Sequence, residues 1–394
     1  MTGDLIPVLW LCGPPGVGKS TVGWEIFAQL TAAGIAAGYV DIDQLGLCYP
    51  ERVSDPGRHR MKVQNLGAVV ANYRAAGARC VIVSGVVDPG RGLHADMVPL
   101  AAFTVCRLWA GRDELTQRFL GRGGQAGLLP EVLRDAAAMD SSGFADVCVD
   151  TTGLPAAEAA RLVRERLAGW PGLTGLSRPP EAGPDEGPAT AADGSILILC
   201  GPAGVGKSAV GFEVYQRTLR AGSAAAYIDL DQIGFCRPAP AGDPGNHSVK
   251  ARNLAGVWQT YRAAGARCLV AVGPVETGAA AKVYAAALPR AAIKLCRLHA
   301  GADELTRRIM LRGQGGSWPQ PGDPLAGQPT AYLLRAAASA AAGAEALECA
   351  LTGALRIDTD GLSVAEAADV IAARTGWPTT PPLMRSGFIA VVLP

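Results

Sequence analysis

The sequence predicts an α/β chain of two like halves, each a parallel sheet with helices on both faces. Three observations predict it. Apolar runs of strand length alternate with helical patterns along the chain. Two of those runs, Val8 to Cys12 and Ile196 to Leu199, lead straight into glycine-rich stretches, Gly13-Pro14-Pro15-Gly16-Val17-Gly18-Lys19-Ser20 and Gly201-Pro202-Ala203-Gly204-Val205-Gly206-Lys207-Ser208. Third, the series repeats: Tyr39-Val40-Asp41-Ile42-Asp43-Gln44-Leu45-Gly46 returns as Tyr227 to Gly234, and Tyr73 to Cys80 returns as Tyr261 to Cys268.

Taken in order, Val22, Ile26 and Leu30 recur at helical spacing after the first glycine stretch, and Gly34 sits where that helix should stop. A strand over 37–42 ends in Asp41-Ile42-Asp43. A polar, turn-rich segment, 50–57, leads into a helix over about 60–76. Strands are predicted at 80–84 and 103–108, then a helix at 113–120 and a mobile-looking loop at 121–129. A short strand, 147–149, ends at Asp150-Thr151-Thr152-Gly153, and a helix over 156–167 closes the unit. The domains are therefore expected at 1–170 and 195–378, joined by a Pro/Gly/Ala-rich linker over 171–194 and followed by a tail, 379–394, that has no counterpart. The second unit differs by a longer Gly/Pro segment, 313–330.

At 394 residues the chain has room for two or three full cores, and 49% hydrophobic with 18% charged residues describes a globular protein. A formal net charge of +1 gives no global field for nucleic acid or an anionic membrane, so neither is expected as a partner. No apolar run reaches the length of a membrane span and the N-terminus lacks a signal-peptide pattern, so a cytoplasmic location is expected. Cys12, Cys80 and Cys106 fall in or beside predicted strands, as do Cys200, Cys268 and Cys296, and read as free buried thiols rather than disulfides.

The glycine stretches carry the chemistry. In the spacing G-x-x-x-x-G-K-S, Gly13, Gly16 and Gly18 let successive N–H groups turn inward on a phosphate chain, with Val17 and Thr21 beside them and a helix dipole behind. Lys19 reaches the β- and γ-phosphates and the Ser20 hydroxyl suits a Mg²⁺ held by them. Gly201, Gly204, Val205, Gly206, Lys207, Ser208 and Ala209 repeat the set. Asp41 and Asp43 project from one side of a strand end, as do Asp229 and Asp231, and paired carboxylates there suit Mg²⁺ organisation and removal of a hydroxyl proton. Asp41 and Asp229 are the expected metal-side members. Arg118 with Arg122, and Arg308 with Arg312, share helix faces from which a closing lid brings positive charge onto a transferring phosphoryl. His59, Lys62 and Asn65, with His247, Lys250 and Asn253, lie on the helix expected to border an acceptor pocket. Gly85 and Gly273, at the ends of the third strands, border the same pocket.

These residues resemble the small-molecule kinase branch of the P-loop fold, the group of shikimate kinase, gluconate kinase, adenylylsulfate kinase and chloramphenicol phosphotransferase. The likeness covers each repeat nearly end to end: the G-P-P-G-V-G-K-S loop, the strand ending D-I-D, the segment C-R-L-W-A-G-R-D-E-L-T-Q-R, and the closing V-D-T-T-G-L-P-A-A-E-A-A. It implies two P-loop NTPase domains of the nucleoside-monophosphate-kinase type, each a five-stranded parallel sheet with a mobile lid. It further implies Asp41 or Asp43 as the base facing the acceptor hydroxyl, with Thr151 to Gly153, and by repeat Thr359 and Gly361, near the adenine. The third strands end Val83-Ser84-Gly85 and Val272-Gly273-Pro274, without the glycine triplet of shikimate kinases, and Thr21, Arg58 and Trp109 become Ala209, Asn246 and His299.

The expected function is that of an enzyme: a Mg²⁺-dependent phosphotransferase moving the γ-phosphoryl of ATP, or GTP, to a hydroxyl of a small metabolite or antibiotic. Two other readings stay open. One is a nucleotide-binding regulator that hydrolyses without an acceptor; the other is a polynucleotide 5′-hydroxyl kinase, for which Arg58-His59-Arg60 and Lys250-Ala251-Arg252 are the only basic hints. The two domains are expected either to pack on each other or to leave the chain free to dimerise.

Overall fold

The computed structural model describes residues 5–88, 92–122, 124–172, 192–315, 323–351 and 353–378. Most of the expected linker, all of the tail, and parts of both lid loops lie outside the described residues.

In the first half the chain runs β1 (Ile6–Cys12), α1 (Lys19–Ala32), β2 (Ala37–Asp41), β3 (Cys48–Tyr49), α2 (His59–Ala75), β4 (Cys80–Ser84), β5 (Ala101–Trp109), α3 (Arg112–Gly121), α4 (Leu129–Asp140), β6 (Val147–Asp150) and α5 (Ala156–Arg166). The second half repeats the plan: β7 (Gly194–Cys200), α6 (Lys207–Arg220), β8 (Ala225–Asp229), β9 (Phe235–Arg237), α7 (His247–Ala263), β10 (Cys268–Val272), α8 (Gly278–Ala287), β11 (Ala291–His299), α9 (Ala302–Gly313), α10 (Thr330–Ala350), β12 (Leu355–Asp358) and α11 (Val364–Thr375). The apolar runs are buried on both faces, as strands of a covered parallel sheet must be: β4, Cys80-Val81-Ile82-Val83-Ser84, is buried at every position.

The sheets have six strands, in the orders β6-β5-β1-β4-β2-β9 and β12-β11-β7-β10-β8-β3. Five of each are parallel, as the resemblance implied. The sixth is a difference: it runs antiparallel and comes from the other half. Tyr39 of β2 pairs with Phe235 of β9, and Cys48 of β3 pairs with Ala226 of β8. Strand exchange is invisible in a two-residue strand such as Cys48–Tyr49, whose sequence carries no period to read. Three helices also differ from the expectation: α4, α8 and α10 form where the sequence reading had only loop, or nothing.

The exchange is backed by side chains. One hydrophobic cluster runs continuously from Trp10, Leu66 and Tyr73 of the first half to Val257, Trp258 and Tyr261 of the second. Asn72 on α2 donates to Asn253 on α7 at 2.9 Å, and the Arg52 guanidinium donates to the carbonyls of Ala263 and Ala264. Phe235 wedges its ring against Trp24, with centroids 4.8 Å apart. The cysteines are free, with eight of the ten buried, and burial pushes thiols such as Cys80 up to about 12, far from reactivity. Among the described residues no helix is long and apolar enough to cross a membrane.

Because the two sheets share strands and a core, the intact chain is expected to unfold in a single calorimetric transition, with van't Hoff and calorimetric enthalpies equal. Two resolved transitions in scanning calorimetry would contradict this.

Candidate functional site

Each phosphate loop is shaped by its glycines. Gly13 sits at φ 144° and Gly201 at φ 142°, and a Cβ on either would stand 2.4 or 2.6 Å from the carbonyl oxygen of Leu108 or Leu298. No other residue fits there. Gly18 and Gly206, both left-handed, then turn the chain into α1 and α6 without a side-chain cap, leaving the first N–H groups of each helix to the loop. Thr21 and Ala209 lie on the first turn of these helices.

The Lys19 ammonium donates to the carbonyls of Gly13 at 2.9 Å and Pro14 at 3.0 Å; Lys207 does the same to Gly201 at 2.8 Å and Pro202 at 2.9 Å. Burial pulls both lysines below their ordinary value, against the charges of Asp41 and Asp43, or of Asp229 and Asp231. A buried ammonium whose hydrogen bonds end on neutral carbonyls is a donor set matched to an anion.

Facing it is the carboxylate pair. Ser20 Oγ donates to Asp41 Oδ2 at 2.6 Å, Ser84 Oγ to the same oxygen at 3.0 Å, and the Asp43 N–H to Asp41 Oδ1 at 3.0 Å. In the second half Ser208 reaches Asp229 at 3.2 Å and the Asp231 N–H reaches Asp229 Oδ1 at 3.0 Å, while Val272 stands where Ser84 does. Burial first, then the charge of Asp43, push the Asp41 carboxyl above the ordinary range. For Asp43, whose side chain is half-exposed, partial desolvation works the same way, but the Lys62 ammonium at 2.8 Å, with Lys19 and Arg58 behind it, outweighs this and holds the carboxyl below the ordinary range. The two members of the pair are thus pushed apart.

Lys62 and Lys250, expected at the acceptor, are placed against Asp43 and Asp231, the latter pair at 2.7 Å. The Asn65 and Asn253 amides are buried and spent on backbone, donating to Leu45 and Ile233 carbonyls at 2.7 Å each. They hold the turn that carries Asp43 or Asp231. His59 lies half-buried beside Trp10 and Asp88, and His247 Nδ1 is 3.4 Å from the Tyr284 hydroxyl. Gly85 and Gly273 press against Ile42 and Leu230.

The paired arginines divide in role. Arg118 binds Glu114 at 2.8 Å, the Thr151 carbonyl at 2.8 Å and Thr151 Oγ1 at 3.1 Å; Arg308 repeats this with Glu304, Thr359 and the Val205 carbonyl. These two tie α3 and α9 to the loops carrying Thr151 and Gly153, or Thr359 and Gly361. Arg122 has no ion-pair partner among the described residues, whereas Arg312 is bound to Asp323 at 2.8 Å. Arg297, two residues before the end of β11, forks onto Glu348 of α10 at 2.8 Å twice.

The sequence reading missed Arg335 and the rest of α10, which wall the cavity of the second loop. The only signal for it was the run 330–350, free of Gly until Gly343 and rich in Ala, a good helix former.

No family model matches this chain, and no curated protein matches it. Among solved structures it is similar to the tunicamycin resistance protein of Deinococcus radiodurans and to a gluconokinase from Sinorhizobium meliloti 1021. Each is 20% identical with a TM-score of 0.32, covering 44% of this chain and 99% of that one. It is also similar to the shikimate kinase of Aquifex aeolicus vf5, at 18% identity and a TM-score of 0.27, covering 43% of this chain and 99% of that one.

Removing the Asp43 charge takes away a cause that raises Asp41. In an Asp43→Asn variant the Asp41 carboxyl is expected to titrate at lower pH than in the native chain, read from its ¹³C chemical shift; an unchanged or higher midpoint would refute the coupling.

Proposed function

We propose that the chain is a phosphotransferase that moves the γ-phosphoryl of a nucleoside triphosphate, ATP in the first instance, to a hydroxyl of a small molecule. The observation that carries this reading is the repeated set of one buried, anion-matched lysine, a serine hydroxyl bonded to a carboxylate, and a second carboxylate two residues on. A site for nucleotide binding alone needs the loop but not the second carboxylate.

In this reading the loop N–H groups and Lys19 or Lys207 bind the β- and γ-phosphates and stabilise charge on the transferring group. Ser20 with Asp41, and Ser208 with Asp229, are the residues fit to hold Mg²⁺: a hydroxyl and a carboxylate oxygen, both hard ligands, lie side by side. The ion, when bound, neutralises phosphate oxygens. Asp43 and Asp231, half-exposed at the cleft, receive the acceptor proton. Arg122 and Arg312 face the phosphates from the lid side, and Arg118 and Arg308 keep the lid helix and the Thr151 and Thr359 loops together.

ADP release is expected to rise with a hydroxylated acceptor. Lys19→Ala or Lys207→Ala should lower kcat of the half it belongs to by about 10²-fold or more. Acceptor-independent hydrolysis with unchanged rates in both variants would sink the reading. Arg122→Ala should lower kcat by a similar factor with Tm unchanged, whereas Arg118→Ala should also lower Tm, since several partly buried hydrogen bonds go with it.

A further inference from the structure

The cavity of the second phosphate loop is not walled by the second half alone. It has a volume of about 2120 Å³ and is lined by that loop, Asp231 and Arg312, and also by Asp43, Gln44, Leu47 and Arg122 of the first half. Strand exchange places them there. The Tyr227 N–H donates to the Leu47 carbonyl at 2.8 Å and Tyr49 pairs with Ala225, so the segment after β2 lies antiparallel to β8 with its Leu47 end nearer Asp229.

Between Trp10, His59 and Asp88 only about 10 Å³ remains, room for at most one water. In the second half Tyr284, 1% exposed, packs against His247 at the equivalent place. The shared cavity, in contrast, is about twice the largest ordinary small-molecule pocket, which reaches roughly 1,000 Å³. Leu311 and Tyr332, two of the large hydrophobics left exposed among the described residues, line it away from the Thr359 loop expected at the adenine. Apolar surface kept open beside a phosphate loop points to an apolar ligand body.

We propose that the two halves build one composite acceptor chamber. In it the second loop serves a hydroxyl-bearing molecule with a large apolar body, which lies against Gln44 and Leu47 of the first half on one side and α10 on the other. The hydroxyl's role rests on the phosphotransferase reading; the chamber does not. On transfer the acceptor O–H gives its proton to Asp231, its oxygen bonds the γ-phosphorus, and the bond from that phosphorus to the β–γ bridging oxygen breaks, releasing the nucleoside diphosphate.

The test uses the full chain carrying Lys19→Ala, so that the second loop alone binds nucleotide. The probe is 8-anilinonaphthalene-1-sulfonate, an anion with a naphthalene and a phenyl group that fluoresces when its rings leave water. Gln44→Trp fills the first-half wall and Gly343→Trp the second; a Cβ at Gly343 meets nothing within 4 Å. Each substitution is expected to weaken one-to-one probe binding at least tenfold, with the affinity for a fluorescent ATP analogue within twofold. Weakening by only one of the two, or by neither, would overturn the composite chamber. If Gln44→Trp loses nucleotide binding it has misfolded, and the smaller Gln44→Tyr replaces it under the same criterion. Probe results as expected, with no acceptor raising ADP release, would leave the chamber standing and remove the phosphotransferase reading.

Discussion

A sheet edge must satisfy its N–H and C=O groups, and in this molecule β2 and β8 do so only through the opposite half. That constraint governs most of what lies around it. The edge strands are short, three residues and two. Their pairing nonetheless fixes how α2 lies on α7, closes a core that neither half encloses alone, and lays the turn after β2 beside β8. A duplicated chain without this exchange would leave two open edges and two half-covered helices.

The site depends on a second constraint, the cost of burying charge. Lys19 and Lys207 are held out of water among carbonyls, and Asp41 is held by hydroxyls and an N–H rather than by a cation. Neither arrangement neutralises itself. Asp43 and Asp231, by contrast, are each paired with a lysine on the following helix. The helix after the carboxylate strand therefore supports the pair electrostatically, through Lys62 and Lys250, and sterically, through the Asn65 and Asn253 bonds to the turn.

The halves share this plan without being identical. Ser84 gives Asp41 a second hydroxyl where the other half has Val272. Arg312 is tied to Asp323, and α10 spans 21 residues against 12 for α4. The larger helix and the exposed Leu311 and Tyr332 give the second loop an apolar surround that the first half does not reproduce at Gly121. Duplication has kept the glycine loops and the carboxylate pairs and let the walls diverge, which is the pattern expected when function sits on loops carried by a common scaffold.

The sequence by itself determined what local pattern can encode: strand, glycine loop and helix from apolar runs and spacing, the Asp-x-Asp strand ends, the arginine pairs four apart on one helix, and the duplication. Each is read within a window of about ten residues, where backbone sterics and side-chain period decide. Only the tertiary structure decided that Lys62 answers to Asp43, that Asn65 is turned onto backbone, that Arg118 and Arg122 part company, and that Leu47 borders the other half's loop. Those outcomes depend on which surfaces meet across a long sequence separation. A two-residue strand or a single lysine carries no periodic signal of its partner, so packing and hydrogen-bond satisfaction over the whole fold select it.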